Sequence, residues 1–220
     1  VLKMASKTKK ILMVAHVLRF FHQYVTIRNL IMEGWIGNPA IAKLCRGGQF
    51  PKNKPWYADT RKSGGPVLDL MIHDFDFLRW CFGDVKRVYA KSLTYKKIPN
   101  IDYALVILRF KKGMIAHVEG TWAHPGGFRT VVEISGNKGM LSFDSRSAVP
   151  LKLELPNENG GLVIPESPVS DDPYILQIRH FVDCIKNNKQ PQIAAEEAYK
   201  AMEVSIAALK SARTGLPVEI

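Results

Sequence analysis

The chain has 220 residues, 46% of them apolar and 23% charged, enough for a sizeable core without disulfides or a structural metal. That composition excludes a disordered chain. Three scattered cysteines with no Cys-x-x-Cys exclude a disulfide framework, a zinc ribbon and a thioredoxin-like redox motif.

The net charge of +11 invites a nucleic-acid reading, yet its distribution is uneven. Before Ser63 stand 12 basic and 2 acidic residues; from there on the counts are 19 and 18. The lysines before residue 11 read as an exposed helix face, so no nucleic-acid partner is expected. No apolar run approaches the ~20 residues of a membrane helix, and no small-residue cleavage site follows the basic start. Cys45, Cys81 and Cys184 sit among apolar neighbours. Buried thiols in a reducing compartment, and hence a cytoplasmic protein without a membrane partner, are the expectation.

In chain order, residues 1–8 read as the end of a helix. Residues 11–16 are a continuous apolar run of strand length, as in a strand buried on both faces. Phe21, Tyr24, Val25, Arg28, Leu30 and Ile31 carry a helical period that stops at Gly34. Residues 40–44 predict another strand, and 47–65 a loop rich in Gly, Pro, Lys and aromatic residues. Pro66 then opens a helix that ends at Gly83. After it the texture turns to strands: 85–95, then 102–110 and 114–122 around Lys111-Lys112-Gly113, then 129–135 and 140–143 around Gly136-Asn137-Lys138-Gly139. Residues 151–155 suggest another strand and 157–172 a polar loop. Helices over 174–186 and 194–212 follow, the second ending at Gly215, and 217–220 form an extended tail. The pattern predicts an α+β fold: a mostly antiparallel open sheet with helices on one face.

The stretch from Pro66 to Phe82 is apolar nearly all round, which marks a buried helix. Asp69, His73 and Asp76 nevertheless fall within about 60° of one another at 3.6 residues per turn. Asp69 and His73 are an i,i+4 pair whose side chains can meet. A buried carboxylate costs several kcal/mol unless it is paired, so a carboxylate–imidazole stripe inside a core helix needs a reason. One reason is general acid–base chemistry, with the carboxylate orienting the ring. The structural alternative is also open: Asp69 lies in the first helical turn, where the dipole favours negative charge, and Asp76 can pair with Arg79.

These residues also carry a resemblance. The segment Ser63-Gly64-Gly65-Pro66-Val67-Leu68-Asp69-Leu70-Met71-Ile72-His73-Asp74-Phe75-Asp76-Phe77-Leu78-Arg79-Trp80 resembles the Gly-Gly…Asp-x-x-x-His-x-x-Asp…Trp signature of the glucose–fructose oxidoreductase/inositol dehydrogenase family. Val14-Ala15-His16-Val17-Leu18-Arg19-Phe20 is similar to the last strand of that family's nucleotide domain and the Arg-Phe after it. Glu33-Gly34-Trp35-Ile36-Gly37, the two glycine hairpins, His180-Phe181-Val182-Asp183-Cys184-Ile185 and the segment from Ser211 to Val218 follow in the family's order.

The resemblance implies a two-domain NAD(P)-dependent oxidoreductase acting on a sugar, cyclitol or polyol hydroxyl. It implies His73 as the proton acceptor or donor and Asp69 as its support. Residues 1–37 would be the remnant of a Rossmann domain, its last helix and strand, and 38–220 the substrate-binding and oligomerisation domain. A homodimer or homotetramer through the open sheet is expected. NAD or NADP is expected for the full-length protein, but Gly-x-Gly-x-x-Gly and Glu-Lys-Pro are absent, so the cofactor-binding residues are not identified. Asn53-Lys54-Pro55 is a decoy in a loop, and the chain alone is expected to be inactive.

Arg19, Trp56, Trp122 and His124 are candidates for substrate contact, each with a bland alternative in packing or a domain-junction salt bridge. Asp69, His73 and His124 lack the second ligand pair that a metal site would want, so no metal is expected. The competing reading is a truncated, non-catalytic family member serving as a dimerisation or sugar-binding module.

Overall fold

The computed structural model describes residues 1–51, 55–93, 102–156, 162–163 and 171–220. The Asn53-Lys54-Pro55 decoy lies largely outside these residues, as does most of the polar loop expected over 157–172.

Among the described residues the alternating strands find one another in a nine-stranded sheet. β1 (Pro39–Gly47), β2 (Val85–Leu93), β3 (Tyr103–Phe110), β4 (Ile115–Thr121), β5 (Arg129–Gly136), β6 (Met140–Asp144), β7 (Leu151–Glu154), β8 (Leu162–Val163) and β9 (Val218–Glu219) lie in the order β8-β7-β6-β5-β1-β4-β3-β2-β9. The expected tail at 217–220 thus closes one edge as β9, antiparallel to β2. β1 is inserted between β5 and β4 and runs parallel to β4, while the other pairings are antiparallel. Two glycines allow close approaches here. A Cβ on Gly136 would meet the backbone carbonyl of Ile36, and one on Gly120 would meet the Met71 side chain.

The period-2 pattern sorts the two faces. Ala42, Leu44, Val106, Leu108, Ala116, Val118, Val132 and Ile134 point to one side and are at most 1% exposed. On the other side Ile41, Ile107 and Ile115 are exposed. Helices cover only the first side, as the composition of the strands predicts. They are α2 (His22–Met32), α4 (Gly65–Asp69), α5 (Met71–Phe82) and α7 (Ala195–Thr214), with α5 lying between α2 and α7. Phe75 and Phe77 on α5 are fully buried, and losing either ring would cost about 3–5 kcal/mol. α6 (Pro173–Lys186) packs on a 3₁₀ turn at Val17–Phe20, and Asp172 caps it by accepting from the Tyr174 and Ile175 amides at 2.8 and 3.2 Å. α1 (Leu2–Thr8) buries none of its residues.

Four expectations need correcting. Residues 11–16 form no strand: a strand buried on both faces needs hydrogen-bonded neighbours, and no described strand pairs with this segment. Its backbone instead turns on itself, the His16 amide donating to the Val14 carbonyl at 2.9 Å. The helix from Pro66 to Gly83 is two helices, α4 and α5, divided at Leu70. The loop over 47–65 contains a 3₁₀ turn at Pro55–Ala58 and the short α3 (Thr60–Ser63), capped by Asp59. All three cysteines are free, but Cys45 is half-buried on the open face of the sheet. No helix among the described residues is long and apolar enough to cross a membrane.

Candidate active site

α5 carries its two buried carboxylates to two arginines from distant parts of the chain. Asp76, 1% exposed, is held by Arg19 from the 3₁₀ turn through Nε–Oδ2 at 2.9 Å and Nη2–Oδ1 at 2.7 Å. Asp74, 2% exposed, is held by Arg46 of β1 through Nε–Oδ2 at 3.0 Å and Nη2–Oδ1 at 2.7 Å. Arg46 Nη2 also donates to the Tyr24 hydroxyl at 3.1 Å. Planar forks of this kind satisfy both partners and fix their orientation, which a lysine could not do. The expected Asp76–Arg79 pair is therefore not formed. Arg79 instead reaches Asp84 and Glu197, each at 2.9 Å.

His73 projects from α5 between these pairs onto the wall of a pocket of about 200 Å³. Asp69, Arg46, Leu18, Phe21, Phe128 and Tyr174 are among the residues that share the wall. The imidazole Nδ1 is buried without a hydrogen-bond partner. Burial, the Arg46 guanidinium and the nearby His16 together push its pKa down to about 4, against the pull of Asp76. Near neutral pH the ring is uncharged and able to accept a proton.

The pocket brings Asp69 and His73 to one wall, but the carboxylate acting on His73 is Asp76. Asp69 instead engages the Tyr57 phenol, which burial and that carboxylate push upward. Leu70 between α4 and α5 keeps a right-handed helical backbone, and its amide still donates to the Pro66 carbonyl at 2.9 Å. Tyr57 leads on to an aromatic group: Trp56 lies 4.2 Å from it and Trp122 5.5 Å, with Phe50 5.4 Å from Trp122.

The remaining candidates divide by place. Trp122 is buried against Tyr57, whereas Trp56, also in contact with that ring, is exposed. Arg19 is buried on Asp76 and is absent from the pocket wall. His124 lies under the end of β1, its ring 3.2 Å from where a Cβ on Gly47 would be, with Nδ1 buried and unpartnered. Sequence reasoning missed His16, Arg46, Asp74 and Tyr174. His16 was absorbed into an expected strand, and Arg46 meets Asp74 only through the sheet-to-helix packing, so no local spacing could announce either.

Among the described residues, no group of three or more His, Cys, Asp or Glu side chains could hold a metal ion. The sequence carries no Gly-x-Gly-x-x-Gly turn. The Gly64-Gly65 pair follows α3 rather than a strand and opens a helix of only five residues, unlike a pyrophosphate-binding turn.

The family model of the GFO/IDH/MocA C-terminal domain matches residues 24–142. The chain is 27% identical over 220 residues to myo-inositol 2-dehydrogenase of Thermotoga maritima, covering 95% of this chain and 65% of that protein. It is 27% identical over 221 residues to the scyllo-inositol 2-dehydrogenase (NAD(+)) of Bacillus subtilis, covering 97% and 64%. The chain thus spans less than two thirds of the length of these curated relatives. An oxidoreductase from Agrobacterium radiobacter, solved in complex with NAD+, L-tartaric acid and magnesium, shares the fold with a TM-score of 0.82 at 20% identity, over 99% of this chain and 67% of that one. The sheet with its helices on one face, and the match across more than half of the sequence, place this chain in the GFO/IDH/MocA oxidoreductase family.

Proposed function

We propose that this chain is the substrate-bearing part of an NAD(P)-dependent oxidoreductase acting on a hydroxyl of a cyclitol, sugar or polyol, with His73 as the group that takes and returns the hydroxyl proton. The observation that carries the reading is the His73 imidazole on the pocket wall it shares with Asp69, its Nδ1 buried without a hydrogen-bond partner. A neutral ring accepts the proton as the hydroxyl O–H bond breaks. Asp69, on the same wall, accepts hydrogen bonds from neighbouring hydroxyls. Phe21, Phe128 and Tyr174 offer apolar faces to ring C–H groups. Trp122 packs on Tyr57, and Arg19 holds Asp76 in place.

This chain's residues account for the proton and the substrate, not the hydride. In this reading residues 1–37 lead in from a dinucleotide-binding domain, with α2 already packed into the core of the substrate domain at 38–220. The inositol dehydrogenases among the relatives make a cyclitol the first substrate to try. The buried thiols Cys81 and Cys184 suit a cytoplasmic setting.

Binding of a panel of inositols, aldoses and alditols, followed by NMR of this chain, tests the proposal. A true substrate shifts the His73 and Tyr174 signals, and NADH binds far more weakly than to a full-length relative. Polyols that bind while leaving both residues unmoved, or NADH affinity equal to a full-length enzyme, would refute it.

The open face of the sheet supports a second, independent part of the reading. Ile41, Ile107 and Ile115 form an exposed apolar group on β1, β3 and β4, which are adjacent strands. We propose that copies of the chain associate there, as a homodimer or a homotetramer. Light scattering should give a dimer or larger for the wild type and a monomer for Ile107→Lys; a monomeric wild type would contradict this.

A further inference from the structure

The chemistry assigned to His73 leaves a second buried imidazole unexplained. His16 precedes the 3₁₀ turn, is 5% exposed, and its ring centroid lies 6.1 Å from that of His73 at an interplanar angle of 69°. Its Nδ1 has no hydrogen-bond partner and stands 3.6 Å from Asp76 Oδ2. Arg19 holds that carboxylate in place through two bonds. The charged and titratable groups acting on His16 are thus Asp76 and Arg19, with His73 beside it. Those facing His73 are Arg46 from β1, His16 from the segment before the turn, and Asp76 from α5, with Asp69 and Tyr174 on the pocket wall.

Two imidazolium ions at this separation in a buried cluster would repel each other, so the cluster favours holding one proton rather than two. Geometry selects its place. A carboxylate oxygen stands beside His16, whereas the largest influence on His73 after burial is the Arg46 guanidinium.

We propose that His16 is the ring of this pair that takes up a proton first as the pH falls, held against Asp76, and that its charge then delays protonation of His73. Its bearing on function rests on the reading of His73 as the group that takes the hydroxyl proton. Burial lowers both rings. Asp76 opposes that effect as the second-largest influence at His16 but as the smallest at His73.

The test is an NMR titration of the histidine ring protons in this chain, wild type and His16→Gln, from about pH 3 to pH 8. In the wild type His16 takes up its proton first, and the His73 signal shows a step as it does so. In His16→Gln the His73 midpoint rises by about 0.5–2 pH units, the effect of removing one charge 6.1 Å away at an effective dielectric between 80 and 20. An unchanged His73 midpoint in a folded variant overturns the proposal, and so does a wild type in which His73 is protonated before His16. If the variant does not fold, the order of protonation in the wild type decides alone. The titration needs neither substrate nor turnover. Full turnover of a His73→Ala enzyme would therefore sink the acid–base reading while leaving the protonation order as measured.

Discussion

Replacing Asp74 with Asn removes the counter-charge of Arg46 while keeping the shape of the side chain. Both members of the pair are almost fully enclosed, with 5% and 3% of their side chains exposed. The guanidinium would keep its bond to the Tyr24 hydroxyl at 3.1 Å, but that neutral oxygen cannot balance a buried charge. Breaking such a pair from one side costs about 3–5 kcal/mol. For a chain of this length each kcal/mol moves the melting point by roughly 2–4 °C, so Asp74→Asn should lower Tm by about 6–20 °C. The double variant Arg46→Met/Asp74→Leu removes both charges together, and its loss should be well below the sum of the two single losses. Urea unfolding of the wild type, both single variants and the double variant gives the full cycle. A cost under about 1 kcal/mol for Asp74→Asn, or strict additivity in the cycle, would refute the view that this pair holds the pocket wall in place.

Two further perturbations follow from the same geometry. Unfolded His73 takes up a proton near its ordinary 6.5, but the folded ring does so only near 4, so between these values the unfolded state binds more protons and stability falls as the pH is lowered. Discounted for the partial exposure of the ring, the loss is roughly 2 kcal/mol. Urea melts at pH 7 and about pH 4.5 should show a shallower decline in His73→Gln, and parallel declines would contradict the depressed pKa. Gly136→Ala would press a methyl group against the carbonyl of Ile36, where β5 meets the start of β1. It should cost about 1–3 kcal/mol in a thermal melt, and an unchanged Tm would show that the two backbones can move apart.

The features legible in the sequence are those written locally. Gly113 and the Gly136–Gly139 turn marked their hairpins, and the helical period from Tyr24 to Ile31 marked α2. Alternation along the strands gave a sheet with one dry face, and the Asp-x-x-x-His pattern drew attention to the element that bears the pocket. What failed depended on distant partners. The apolar run at 11–16 has the composition of a buried strand, but pairing is decided by neighbours rather than by the run itself. The insertion of β1 beside β4 joins segments with no turn between them. Arg46 and Asp74 lie 28 residues apart, and Arg19 and Asp76 57 apart, so nothing in their spacing foretells a pair. The helical wheel that grouped Asp69, His73 and Asp76 assumed one unbroken helix. Partners from elsewhere in the chain redistribute those groups: Asp69 to Tyr57, Asp76 to Arg19 and His16, and His73 to the pocket.

The excess of positive charge before Ser63 is partly accounted for by the same contacts, since Arg19 and Arg46 are both neutralised inside the fold. Neither side chain is available to an anionic polymer.

The most direct test of the account is the turnover of His73→Ala in an enzyme that joins this chain to a dinucleotide-binding domain. With a cyclitol or sugar substrate the account predicts a fall in kcat of about 10²–10⁴-fold, with binding of substrate and the thermal melt at neutral pH little changed. Near-wild-type turnover in that variant would contradict the assignment of His73 as the group that moves the proton.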